Sequence, residues 1–137
     1  MSVRVLFPGA AEGPVLALAA PLSFWGGIDP ASGRVIARGH PQEGASVAGS
    51  ILVVPAPIGS SSSSSVLLEL IREGLAPAGI VLGAADAILV VGCLVAREMG
   101  WPAPPIVVAE IASVPMGAAR LAIEAREEGE GRIGGVG

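Results

Sequence analysis

Apolar and polar positions alternate through SVRVLF, residues 2–7, and this predicts a strand at the start of the chain. PVLALAAPLSF, residues 14–24, reads as a second strand after a predicted turn at Ala11–Gly13. WGGIDPASGRV then carries Gly-Gly, Asp-Pro and Ser-Gly in succession, so an irregular loop is expected. GRVIARG predicts a short returning strand and HPQEGAS a turn. VAGSILVVP is rich in β-branched residues and stops at Pro55 and Pro57, as a strand would.

The next stretch, GSSSSSSVLLELIREG, places six serines, Ser60 to Ser65, directly before an apolar segment. A flexible Gly/Ser linker joins domains and has polar flanks. Here a strand precedes the serines, and Leu67, Leu70 and Ile71 follow at i, i+3 and i+4, one face of a helix. Gly74 stands where a helix-terminating glycine belongs. The pattern predicts strand, glycine-led turn, helix. A serine hydroxyl is expected to cap the first turn, and Gly59 to permit a tight turn and a close backbone approach. Unpaired amides and the positive end of the helix dipole make such a junction suited to a carboxylate or phosphate.

AGIVLG and PPIVVAEI predict short buried strands, with a helix in the second half of residues 84–100, ending at Gly100. ARLAIEA and GRIGGV, separated by REEGE, predict a closing hairpin. Strands outnumber helices and come mixed rather than in regular βαβ units. One β-rich α/β domain over residues 1–137, with one or two short helices, is expected.

Composition narrows the function. Apolar residues make up 52% of the 137, charged residues 15%, and all eight basic residues are arginine. That is too apolar for disorder, yet no apolar run reaches the ~18 residues of a membrane span. The N-terminus has too short an apolar core for a secretory signal. A soluble, cytoplasmic protein is the expectation. A net charge of −4 argues against nucleic acid, which needs a basic patch. So few charges on a domain this size imply surface covered by a partner. Cys93, the one cysteine, lies among Val90, Val91, Leu94 and Val95 and is expected to pack as a small hydrophobe. With one histidine besides, the chain cannot build a zinc site, and a metal cofactor would be held mostly by another chain. A serine hydrolase would need His40 oriented by an acid such as Glu43 or Asp29, and no G-x-S-x-G elbow exists. A surface turn histidine is expected instead.

Three motifs, SFWGGID with Ser32-Gly33, then GASVAG, then GSSSSSSVLL, occur in an order and spacing that resembles the small subunit, or swivel domain, of the aconitase X group. The likeness runs from Gly9 to Glu110, and the C-terminal hairpin fits loosely. It implies a swivelling β/β/α domain with a β-rich, barrel-like core. It also implies a hydro-lyase that dehydrates a hydroxy acid, such as phosphomevalonate or cis-3-hydroxy-L-proline. The heterodimeric partner would be a large subunit carrying an iron–sulfur cluster. Under this resemblance Ser60 is the proton acceptor and Ser64 the second serine of the motif. Gly59, Ser61, Ser62 and Ser64 would line the substrate. Ser23, Gly26, Gly27 and Asp29 would form a second loop facing substrate or large subunit. The alternative for that second loop is a structural turn with Trp25 packed beneath it.

Two departures stand out. Ile58 occupies a position that is usually basic in the group, and Ser62 stands where aconitases have an arginine. Arg34, Arg38 or an arginine of the partner would have to compensate. A non-catalytic, anion-binding regulatory domain is the competing class.

Overall fold

A computed structural model describes residues 1–127 and 129–136. Its strands are β1 (Ser2–Phe7), β2 (Gly9–Ala17), β3 (Ile51–Val54), β4 (Gly79–Leu82), β5 (Ile106–Val108), β6 (Arg120–Ala125) and β7 (Glu130–Val136). They close a barrel in the order β1-β5-β4-β3-β2-β6-β7. Strands β2 to β5 run parallel to one another, and the remaining pairs are antiparallel. The helices are a single turn α1 (Phe24–Gly27), then α2 (Ser63–Glu73) and α3 (Ala87–Glu98).

Helix α2 connects β3 to β4 and α3 connects β4 to β5, so two successive βαβ units build the parallel half, contrary to the expectation of a mixed order. Parallel strands need such crossovers, which cover their outer face. All residues of β3 and β4 are buried, and alternation divides them between two cores. Leu52, Val54, Ile80, Leu82 and Ile106 meet Leu67, Leu70, Leu89 and Cys93 of the helices. Ile51, Val53, Val81 and Val107 fill the barrel with Leu121, Ile123 and Ile133.

Several local expectations need correction. The turn expected at Ala11–Gly13 lies inside β2, whose pairing with β6 runs from Gly9 to Pro14. Gly13 is required there because a Cβ would collide with the Gly49 carbonyl oxygen. The second predicted strand ends at Ala17, with only an isolated bridge at Leu22. GRVIARG forms no strand. Isolated bridges Ile28–Val35 and Arg34–Ser46 hold it, too few for a ladder. Helix α3 occupies the whole of Ala87–Glu98 rather than the second half of its segment. The closing hairpin is present as β6–β7, and Glu128 of its turn lies outside the described residues. His40 is buried rather than a surface residue.

Candidate functional site

The C-terminal ends of parallel strands are where α/β sheets offer a crevice. Two connections leave that edge here: Pro55–Ser62 from β3 to α2, and Gly83–Asp86 from β4 to α3. They press together at Gly83, where an added Cβ would overlap the Pro55 carbonyl oxygen. A third segment joins them. Leu22 bridges Pro57, and the Ile58 amide donates to the Leu22 carbonyl at 2.9 Å. This sets Ser23–Gly27 beside Ile58–Ser60, so both sequence-predicted loops stand at one edge of the barrel.

The serine run winds into α2. The Ser63 amide donates to the Ser60 carbonyl at 3.0 Å and the Val66 amide to the Ser62 carbonyl at 3.3 Å. Ser62 occupies the capping position, but its side chain makes no cap bond, contrary to expectation. Its φ of −87° and ψ of −6° are already helical, whereas a capping side chain needs extended backbone to reach back. Among the described residues the Ser64 and Ser65 amides have no protein acceptor. The Ser60 Oγ accepts from the Ser62 amide at 3.3 Å, so a hydrogen-bond donor already addresses that oxygen. Ser60 is half-buried and Ser61 exposed. The Ser64 Oγ donates back to the Ser61 carbonyl at 3.4 Å. Ser63, not singled out from sequence, is 1% exposed and its Oγ has no partner. Gly59 lies outside the left-handed region, so no tight turn requires it, and nothing stands within 4 Å of where its Cβ would be.

The second loop divides. The Ser23 Oγ is buried without a partner. Gly26, at φ +77°, takes a conformation that a side chain would strain, and the space around it is open. Gly27 is buried, and a Cβ there would stand 2.7 Å from Leu22 Cδ1. Both Asp29 carboxylate oxygens are used inside the turn, accepting from the Ala31 amide at 3.0 Å and the Ser32 hydroxyl at 2.8 Å. Asp29 therefore shapes the loop, and of the four residues only Gly26 has open space beside it. Phe24, not Trp25, packs beneath the turn. Trp25 is 61% exposed.

The side chains expected to compensate for Ile58 give only part of an answer. Arg34 donates to the Gly44 carbonyl at 2.8 Å, and Arg38 is exposed. His40 has both ring nitrogens committed. The Gln42 amide donates to Nδ1 at 3.0 Å, which leaves Nε2 to donate to the Ala20 carbonyl at 3.1 Å. Glu43 accepts from the Gly39 amide, so the pieces of a hydrolase triad are spent on holding a loop.

This donor set does not fit an iron–sulfur cluster. Cys93 is fully buried, its thiol pushed up to about 12 by burial, and its Sγ faces the Pro104 carbonyl at 3.5 Å. A cluster is held by several cysteine thiolates, and this chain has one cysteine, held neutral by burial. Among the described residues no group of three or more His, Cys, Asp or Glu could hold a metal ion. No helix among them is long and apolar enough to cross a membrane.

Comparison with known proteins places this geometry in context. The family profile of the aconitase X swivel domain matches residues 1–126. A cis-3-hydroxy-L-proline dehydratase of Pseudomonas aeruginosa is 48% identical over 103 residues, 75% of this chain but 18% of that protein. A phosphomevalonate dehydratase small subunit of Methanothermobacter thermautotrophicus is 41% identical over 93 residues, 68% of this chain and 71% of that one. In three dimensions the chain matches aconitase X of Thermococcus kodakaraensis, crystallised in its holo-form. The TM-score is 0.81 at 32% identity, covering 97% of this chain and 98% of the other. The chain thus spans under a fifth of the hydroxyproline dehydratase it matches, and most of the small subunit.

Proposed function

The chain belongs to the aconitase X swivel-domain family, and from that premise we propose that it is the small subunit of a heteromeric hydro-lyase. It acts as one swivel domain over residues 1–137, pairs with a large subunit that carries an iron–sulfur cluster, and supplies Ser60 to a shared active site. The substrate is a small hydroxy acid. Phosphomevalonate and cis-3-hydroxy-L-proline are the candidates that the names of the relatives supply.

The observation that carries this reading is the open start of α2. Dehydration takes a proton from the carbon next to a carboxylate and expels a hydroxyl from the neighbouring carbon. The Ser64 and Ser65 amides and the helix dipole suit the substrate carboxylate. The Ser60 Oγ accepts the proton. A serine must be an alkoxide for that, and the Ser62 amide at 3.3 Å favours the charge on this oxygen. The helix dipole adds about 0.3–2 kcal/mol. A cation brought by the partner and a closed, dry site supply the rest. Gly26, with open space beside it, gives room for the substrate.

The reading is tested by producing the chain with the aconitase X large subunit and assaying dehydration of both candidate substrates. Activity should require both chains. A stable complex that dehydrates no hydroxy acid would favour a regulatory, anion-binding role.

A further inference from the structure

Three large apolar side chains are exposed on the segments hydrogen-bonded to one another beside the serine loop. Trp25 is 61% exposed, Ile58 52% and Ile36 48%. They belong to neighbouring, hydrogen-bonded segments. Ile58 immediately precedes Gly59 and donates its amide to Leu22, while the Ile36 amide donates to the Gly27 carbonyl at 2.8 Å. Trp25 stands between Leu22 and Gly27, on a loop whose inward side is filled by Phe24. The collar and the open amides of α2 therefore occupy one edge of the barrel.

Resting on the functional reading above, we propose that Trp25, Ile36 and Ile58 form the docking rim on which the large subunit closes over the serine loop. The occupant follows from what the site lacks. It offers amides and hydroxyls, but the described residues supply no set of metal donors, and the residue before Gly59 is apolar. A second copy of this chain would bring a second serine loop and none of the missing groups. The large subunit can bring them. The relatives are consistent with that occupant, because the matched stretch is 18% of one longer dehydratase and 71% of a chain named as a small subunit. An apolar rim also has a chemical use. Contacts around a polar centre exclude water, and a dry site strengthens every charge interaction within it. Ile58 then has a role of its own: it adds apolar surface directly beside the serine loop. Another exposed apolar patch, Val91, Leu94 and Val95 on the outer face of α3 with Met99 just past its end, is not part of this rim.

Trp25 makes the test direct, since Trp101 is the chain's second tryptophan and is half-buried. The chain is labelled with 5-fluorotryptophan, a Trp25→Phe variant assigns the two resonances, and unlabelled large subunit is added. The Trp25 resonance should shift and that of Trp101 stay. Trp25→Asp and Ile58→Asp should each weaken the complex by about tenfold or more, while Leu94→Glu on α3 leaves it intact. A complex that forms with Trp25 unshifted, or that Leu94→Glu breaks while the rim variants do not, overturns the rim and leaves the functional reading standing. Failure of the unaltered chains to associate overturns that reading itself.

Discussion

Helices α2 and α3 both follow a parallel strand, start at the same edge of the barrel and pack against each other, yet their first turns are closed differently. At α3, Asp86 has the extended backbone of a cap, and its carboxylate accepts from the Ile88 and Leu89 amides at 2.9 and 3.4 Å. Negative charge is already present where the dipole favours it. At α2, six serines provide hydroxyls but no cap, because Ser62 has turned helical too early to reach back. One helix start is satisfied from within, and the other is left for something from outside. Topology alone therefore does not make a helix terminus into a site. The capping residue decides.

The comparison can be broken most severely by giving α2 the acidic residue that α3 has. Ser62→Asp adds a negative charge at the start of α2 where, even without reaching back to cap the amides, it repels an anionic substrate. Dehydratase activity of the complex should fall by about 10²–10³-fold, while the melting temperature holds or rises. Full activity in this variant would show that the α2 amides do not meet the substrate.

Next comes Gly92, where α3 touches the first turn of α2. An added Cβ would lie 2.9 Å from the Ser64 carbonyl oxygen, a backbone atom that cannot swing away. Alanine is worth about 1 kcal/mol over glycine within a helix, but overpacking costs about 1–3 kcal/mol. Gly92→Ala should lower stability in denaturant titration by about 1 kcal/mol and also reduce turnover, because the serine turn is displaced.

The converse change, Asp86→Ala, removes the acidic cap from α3. It should cost about 1 kcal/mol of stability and leave turnover unchanged, since this helix start serves the fold. Smallest is the effect at Cys93, buried in the interface of the same helix. Burial raises its thiol from 9.0 to about 12, so the folded state favours the neutral form. That contribution is complete below pH 9.0 and is lost as pH climbs towards 12. Cys93 should react with a thiol reagent at pH 8 only after denaturant unfolds the chain.

Hydrophobic patterning revealed the parts of this fold that are buried on both faces. ILVV, GIVL and IVV are short runs of apolar residues with few other readings, and β3, β4 and β5 fall on them. Strand β2 was obscured because GAAEGPVLA is small and turn-like, and its extended form depends on β6 and on the close approach of Gly49. Pairing across the barrel overrode local preference there. In the site, the serine run and the SFWGG loop were both visible as motifs, and the structure sets them side by side. Sequence could not reveal that Asp29 spends its carboxylate on its own turn, because that depends on the path from Ala31 to Arg34. It also gave no sign that Trp25 turns outward while Phe24 turns in. The buried, unpaired hydroxyl of Ser63 was hidden among five identical neighbours, and only the phase of α2 distinguishes it.

The central claim is that the open start of α2 carries the proton acceptor. Its most direct measurement is the dehydratase rate of the two-subunit complex carrying Ser60→Ala, with assembly verified by size-exclusion chromatography. Ser60 makes no packing contribution to the two cores, so the complex should form normally. The rate should drop by about 10²–10⁴-fold, the worth of a positioned general base. An intact complex turning over at the unaltered rate would contradict the account.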